Sequence, residues 1–201
     1  MSSQVHKDVI SAEEVQRLLS YMFESGPEVD DREKAYSKEP DLDSTKWLKE
    51  LIHDICNRIS VSKNFKHCVF WKFKDTFLGL HTDTALPGKN IVIPLEAENE
   101  HTFVFKNKWP GPAVKFYNAE DSFSSNKINL VSDYNKFGTF DSDLHSKYLS
   151  HVDKSLLDGL TIDVFWEWEV GDILVFDSKQ VHCSASVTNQ KSALLIWTRD
   201  V

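Results

Sequence analysis

Phe77-Leu-Gly-Leu-His-Thr-Asp83 follows, after Lys74-Asp-Thr76, the apolar and aromatic run Cys68-Val-Phe-Trp-Lys-Phe73. Aromatic and β-branched residues in that density favour a strand, which places His81 on it or at its end. Along a strand, residues i and i+2 share a face, with Cα atoms roughly 6–7 Å apart. His81 and Asp83 therefore lean the same way, and their side chains can grip one ion. An imidazole nitrogen with a carboxylate oxygen suits a borderline divalent metal better than calcium or a thiolate-seeking ion. A pair leaves such an ion short of ligands. The best third ligand is His182, in Gly171-Asp-Ile-Leu-Val-Phe-Asp-Ser-Lys-Gln-Val-His-Cys-Ser184. Two imidazoles and one carboxylate on one side of an ion leave the opposite positions open.

The rest of the chain fits a rolled sheet. Upstream, Ser11-Ala-Glu-Glu14 matches a capping box, and Val15, Leu18, Leu19 and Met22 follow at helical spacing, which predicts a helix over 12–23 closed by Gly26-Pro27. The charge-dense residues 28–43 read as a solvated loop. A second helix is predicted over 45–60 from the stripe Trp47, Leu48, Leu51, Ile52, Ile55 and Ile59. From residue 66 the texture turns to short strands, expected at 67–74, 77–83, 90–96, 101–106 and 112–117. Pro94 marks an edge or a bulge, and Glu96-Ala-Glu-Asn-Glu100 a hairpin turn. Residues 118–160 are polar, with a short helix expected within 143–157. So long an insertion between strands is usually functional and reads as a lid or substrate-contact segment. Strands return at 161–169, 173–176, 181–187 and 192–198. The expectation is one domain over 1–201: helical support over 1–65, then a mainly β core over 66–201, with the helices packed on a jelly roll, or double-stranded β-helix. Antiparallel pairing across such a roll can bring His182 beside Asp83 although 99 residues separate them.

The downstream context sharpens the His-x-Asp pair. Trp168-x-x-Gly-Asp-x-Leu-x-Phe-x-x-x-x-x-His182 reads strand, turn, strand, turn, strand, and Lys191 follows nine positions later, ahead of the last apolar run. Over about residues 68–199 the sequence resembles the iron(II)- and 2-oxoglutarate-dependent oxygenase superfamily. The resemblance implies that His81, Asp83 and His182 hold Fe(II). It also implies that Lys191 pairs with the far carboxylate of 2-oxoglutarate, with Arg199 as the competing anchor, and that O₂ takes the remaining site. Asn90 is a further candidate contact to the co-substrate, as some family members place an amide or hydroxyl on the adjacent strand. Related halogenases carry Gly or Ala where Asp83 stands, so a hydroxylase is expected. The alternatives are a cupin-type metal-dependent oxygenase or isomerase that does not use 2-oxoglutarate, and a jelly-roll binding protein without chemistry. His67, His101, His145 and His151 have no partner at ligand spacing.

Composition narrows the partners. With 201 residues, 41% of them hydrophobic, the chain can build a substantial core. A net charge of -8 disfavours non-specific binding to nucleic acid and to an anionic membrane. A small-molecule or peptide substrate is therefore expected. The start, Met1-Ser-Ser-Gln-Val-His-Lys-Asp8, lacks the apolar core of a signal peptide, and no apolar run approaches a membrane span. The odd count of three cysteines without a CxxC points to reduced thiols and a cytoplasmic setting. Cys183, on the strand face opposite His182, is expected to pack.

Overall fold

The computed structural model describes residues 3–24, 28–30, 35–74, 78–83, 88–109, 114–115, 140–185 and 190–199. Its strands are β1 (Gln4–His6), β2 (Glu28–Asp30), β3 (Ala35–Lys38), β4 (Phe65–Lys74), β5 (His81–Thr82), β6 (Lys89–Glu96), β7 (His101–Lys108), β8 (Val114–Lys115), β9 (Ile162–Glu167), β10 (Ile173–Asp177), β11 (Gln180–Ser184) and β12 (Gln190–Thr198). They form two antiparallel sheets, a large one in the order β1-β10-β6-β12-β4-β3-β2 and a small one in the order β8-β5-β11-β7-β9. This is the expected jelly roll. The helices are α1 (Ala12–Glu24), α2 (Lys46–Arg58), α3 (Ser142–Tyr148) and α4 (Lys154–Leu157).

Side-chain alternation explains how the roll is filled. On β12 the even residues Leu194 and Ile196 join Ile91 and Ile93 of β6 against Leu18, Met22, Leu48, Ile52 and Ile55 of α1 and α2. The odd residues Lys191, Ala193, Leu195 and Trp197 face inward and line a cavity between the sheets. Both faces of the large sheet are thus covered, which is why its strands read as nearly unbroken apolar runs. The capping box at Ser11 forms as expected: Ser11 N–H donates to Glu14 Oε2 at 2.8 Å, and Glu14 N–H to Ser11 Oγ at 3.2 Å.

Two sequence readings need correction, and one choice between alternatives is decided. Residues 28–43 are not simply a solvated loop, because β2 and β3 form a hairpin whose β3 pairs Ala35–Lys38 with Phe73–Phe70 of β4. The ten-residue β4 offers a long row of backbone donors and acceptors on its outer edge, and backbone pairing there does not depend on uncharged side chains. Of the two readings of Pro94, an edge or a bulge, the bulge holds: the residue lies in a central strand beside a register irregularity. The ladder accommodates its missing N–H through a register shift between Ser192 and Ala193 of β12. The described half of the insertion, 140–160, is a cover rather than a lid. Phe140, Leu149, Val152 and Leu157 pack with Phe103, Phe105, Val181 and Cys183 on the outer side of the small sheet, and none of the residues from 140 to 160 lines the cavity. Residues 118–139 lie outside the described part, as does Phe77. β1 was not foreseen; it adds an edge to the large sheet by pairing with β10.

The three cysteines are free and buried. Burial pushes the Cys56 thiol up to about 11 and Cys68 to about 12, and Cys183 higher still. No helix among the described residues is long and apolar enough to cross a membrane. One glycine is fixed by close approach: a Cβ on Gly88 would sit 2.0 Å from the backbone oxygen of Thr198. That contact is backbone and cannot swing away, so Gly88→Ala is expected to cost about 3 kcal/mol. Thermal denaturation should show this as a fall in Tm of roughly 6–12 °C.

Candidate metal centre

β5 and β11 are register partners, with His81 directly opposite His182. The two rings lie 4.1 Å apart between centroids. Asp83, two residues beyond His81 on the same face, completes the group: its Oδ1 is 3.3 Å from His81 Nε2 and its Oδ2 3.5 Å from His182 Nε2. One ligand atom from each of the three residues fits within a mutual span of 4.8 Å. Donors about 2.1 Å from one ion at right angles to each other lie about 3 Å apart, so the spacing fits a single divalent cation. Among the described residues this is the one such group of His, Cys, Asp and Glu.

The backbone sets the tautomers. His81 Nδ1 lies 2.7 Å from the carbonyl of Gly79, and His182 Nδ1 lies 2.9 Å from the carbonyl of Gln180. Each Nδ1–H donates backward along its own strand, which turns Nε2 of both rings toward Asp83, the arrangement metal-ligating histidines use. The large sheet supplies the clamp on the carboxylate: Asn90 Nδ2 donates to Asp83 Oδ2 at 2.7 Å and Trp197 Nε1 at 3.1 Å. Burial alone would raise the Asp83 carboxyl, but the facing His182 and His81 outweigh it and hold it well below the usual carboxylate range. Asn90 Oδ1 is buried and accepts no hydrogen bond from any described residue.

The cavity beside this group has a volume of about 280 Å³ and is mostly apolar. Trp197 touches Asp83 at one end of the inward stripe of β12, and Lys191, six residues away along that stripe, stands at the other. Lys191 is only 2% exposed, faces Phe73 of β4 in register, and lies with its Nζ 4.9 Å from the ring centre of Trp168. Its partner is Glu100, also 2% exposed, with Oε2 at 3.7 Å. Burial pulls the lysine down to about 8 against the opposing pull of Glu100. Arg199 is exposed and does not line the cavity.

The other histidines are accounted for elsewhere. His67 stacks on Trp197 and lies 3.4 Å from Glu39, His101 packs between Tyr148 and Phe165, and His145 pairs with the carbonyl of Val152. Burial pulls His151 down to about 4. Two residues at the site escaped the sequence reading. Trp197 shares strand parity with Lys191, a signal that was there to use. Glu100 gave none, because it closes the stretch Glu96–Glu100 that reads as a hairpin turn.

A scan against protein-family models finds no match, and neither does a search of the curated proteins. Solved structures do match over nearly the whole chain. A 2OG-Fe(II) oxygenase family oxidoreductase from Burkholderia pseudomallei superposes with a TM-score of 0.57 at 11% identity, covering 98% of this chain and 83% of that one. A prolyl-4-hydroxylase from Pseudomonas putida gives 0.53 at 12% identity, covering 100% and 93%. The fold is that of the 2-oxoglutarate/iron(II) oxygenases. HygX from Streptomyces hygroscopicus, solved with nickel, 2-oxoglutarate and hygromycin B, shares this oxygenase fold with a TM-score of 0.57 at 14% identity, covering 98% and 83%. In this chain the oxygenase fold carries its three clustered donors on the inner face of the small sheet and its buried lysine on the inner face of the large one.

Proposed function

We propose that the chain is an iron(II)- and 2-oxoglutarate-dependent dioxygenase that hydroxylates a small molecule or a protein side chain. One observation carries the reading: two imidazoles and a carboxylate converge at ligand distance on the wall of an apolar cavity whose far reach holds a buried lysine. Two neutral nitrogen donors and one carboxylate, all on one side, form the donor set of non-heme iron oxygenases. Iron(II) bound there would supply the coupling of O₂ to the oxidative decarboxylation of 2-oxoglutarate and to oxidation of a substrate C–H bond.

The remaining roles belong to the protein. His81 and His182 are oriented by their Nδ1–H bonds to the backbone, with Nε2 of each turned to the place the ion would take. Asn90 and Trp197 engage Oδ2 of Asp83, which steers Oδ1 toward the ion. Asn90 has a second amide N–H for the co-substrate, and its unpartnered Oδ1 is an acceptor for water or a hydroxyl at the centre. Lys191 pairs with the far carboxylate of the co-substrate, a charge too costly to leave unmatched in an apolar site. Trp71, Phe73, Trp168 and Phe176 line the cavity and exclude water from it. The neighbour holding hygromycin B supports a small-molecule substrate.

The test is a screen of metabolites and peptides for substrate-stimulated succinate release by anaerobically iron-reconstituted protein. Stoichiometric metal binding together with 2-oxoglutarate-dependent succinate supports the reading. Protein that binds no iron or manganese, or binds it and never consumes 2-oxoglutarate, overturns it. The clamp on Asp83 has its own expected result: Asn90→Ala and Trp197→Phe each weaken Mn(II) affinity by about 10- to 100-fold, measured by equilibrium titration.

A further inference from the structure

The cation at the end of the cavity already has a counter-charge. Glu100 ends the turn before β7, and its Oε2 approaches Lys191 Nζ at 3.7 Å, beyond hydrogen-bond reach. Both side chains are almost wholly buried, and Glu100 Oε2 accepts no hydrogen bond from any described residue. Glu100 does not line the cavity, whereas Lys191 does. Glu100 thus backs the ammonium from the protein side and leaves its other side open to a ligand. Thr102, also lining the cavity, has its Oγ1 occupied by Trp168 Nε1–H at 2.8 Å.

An incoming carboxylate therefore places two anions on one buried cation. The local charge becomes -1 in a site walled by Phe73 and Trp168, and such a charge is expensive without a partner. The cheapest relief is to protonate Glu100, whose Oε2 is buried and accepts no hydrogen bond from any described residue. We propose that Glu100 takes up one proton from solvent when the far carboxylate of a 2-oxo diacid docks on Lys191, so that ligand binding and protonation of Glu100 are a single coupled event. The inference rests on the reading of the cavity as a 2-oxoglutarate site. The step forms one O–H bond on Glu100, consumes one solvent proton, and breaks nothing else.

The surrounding groups leave Glu100 as the acceptor. Cys183 of β11 is already protonated, its thiol raised by burial. His151 acts on Lys191 from the segment between α3 and α4, and its low affinity for protons, from burial and from the lysine itself, leaves it neutral. His101, next along β7, turns to Tyr148 and Phe165. Burial raises the Glu100 carboxyl even in the free protein, against the lowering by Lys191, and a second carboxylate raises it further. The sign follows: binding is strongest below the free-state value of Glu100 and weakens as pH rises from that value to the ligand-bound one. The slope within that window approaches about tenfold per pH unit.

The experiment is titration calorimetry of manganese-loaded protein with 2-oxoglutarate under anaerobic conditions, below the Lys191 value of about 8, in two buffers of different ionisation enthalpy. It is paired with infrared difference spectra taken with uniformly ¹³C-labelled 2-oxoglutarate, which moves the ligand's own bands aside. Uptake approaching one proton per ligand is expected, together with a new C=O stretch of an un-ionised carboxylic acid that is absent from Glu100→Gln. Tight binding with no proton uptake overturns the proposal and leaves the dioxygenase reading standing. Survival of the new band in Glu100→Gln overturns it as well, and should that variant not fold, the two-buffer titration of the unaltered protein decides alone. Absence of any binding overturns the proposal together with the reading on which it rests.

Discussion

Asp83→Ala and, separately, His81→Ala are expected to abolish iron-dependent succinate formation, with activity falling by well over about 100-fold, the upper end of what losing a supporting contact around a metal costs. The size of the effect follows from the ligand count. Three donors would hold the ion from one side, so removing one leaves two and takes away the geometry that keeps the opposite positions open. The two variants differ in what they leave behind. Asp83→Ala strands the N–H groups of Asn90 and Trp197, which both donate to Oδ2, and so costs some stability as well. His81→Ala removes a ring whose Nδ1 bonds a neighbouring carbonyl on the short β5, and the folded protein should survive it. Succinate production assayed beside a thermal melt separates the two contributions. Turnover at the unaltered level in a folded variant of either kind would end the assignment.

The second large effect is at the other end of the cavity. Lys191→Met is expected to raise the KM for 2-oxoglutarate by roughly 30-fold or more, the cost of removing one member of a buried charge pair, while the turnover number at saturation changes far less. The variant also leaves Glu100 buried without its cation, at a stability cost of about 3–5 kcal/mol. Pairing Lys191→Met with Glu100→Gln removes both charges and should restore the melting temperature without restoring affinity for 2-oxoglutarate. Initial rates against 2-oxoglutarate concentration, run beside melts of both proteins, make the distinction. An unchanged KM in the folded double variant would exclude Lys191 as the anchor and favour a metal-dependent reaction without 2-oxoglutarate.

The parts of this site legible in the sequence were those written in local period. His81 and Asp83 share a face by strand alternation. The turn-strand-turn pattern ahead of His182 put that residue on a strand, and the roll implied by many short strands brought it back to His81. The helices were legible for the same reason, since their apolar stripes and the Ser11 capping box are short-range features. What stayed hidden was cross-sheet. Asn90 could be placed on its strand, but its bond to Asp83 depends on how the two sheets face each other. Glu100 was placed at the end of a hairpin turn, where an acid is ordinarily at the surface, and only its packing beside Lys191 reverses that. The β2–β3 hairpin was hidden because edge pairing is a backbone affair, indifferent to the charges that dominate residues 28–43.

The direct opposition of His81 and His182 has a mechanical corollary. β5 is two residues long, and its ladder with β11 has a single register pair, flanked by the Leu78–Ser184 hydrogen bonds. A cation gripped by both rings would rivet the short strand to the longer β11, so occupancy would be felt first as slower exchange of the amide protons around residues 81 and 82. The empty protein should breathe at that seam while its helix-backed sheet stays shut, and a deuterium-labelling time course would register loading of the centre before any turnover begins.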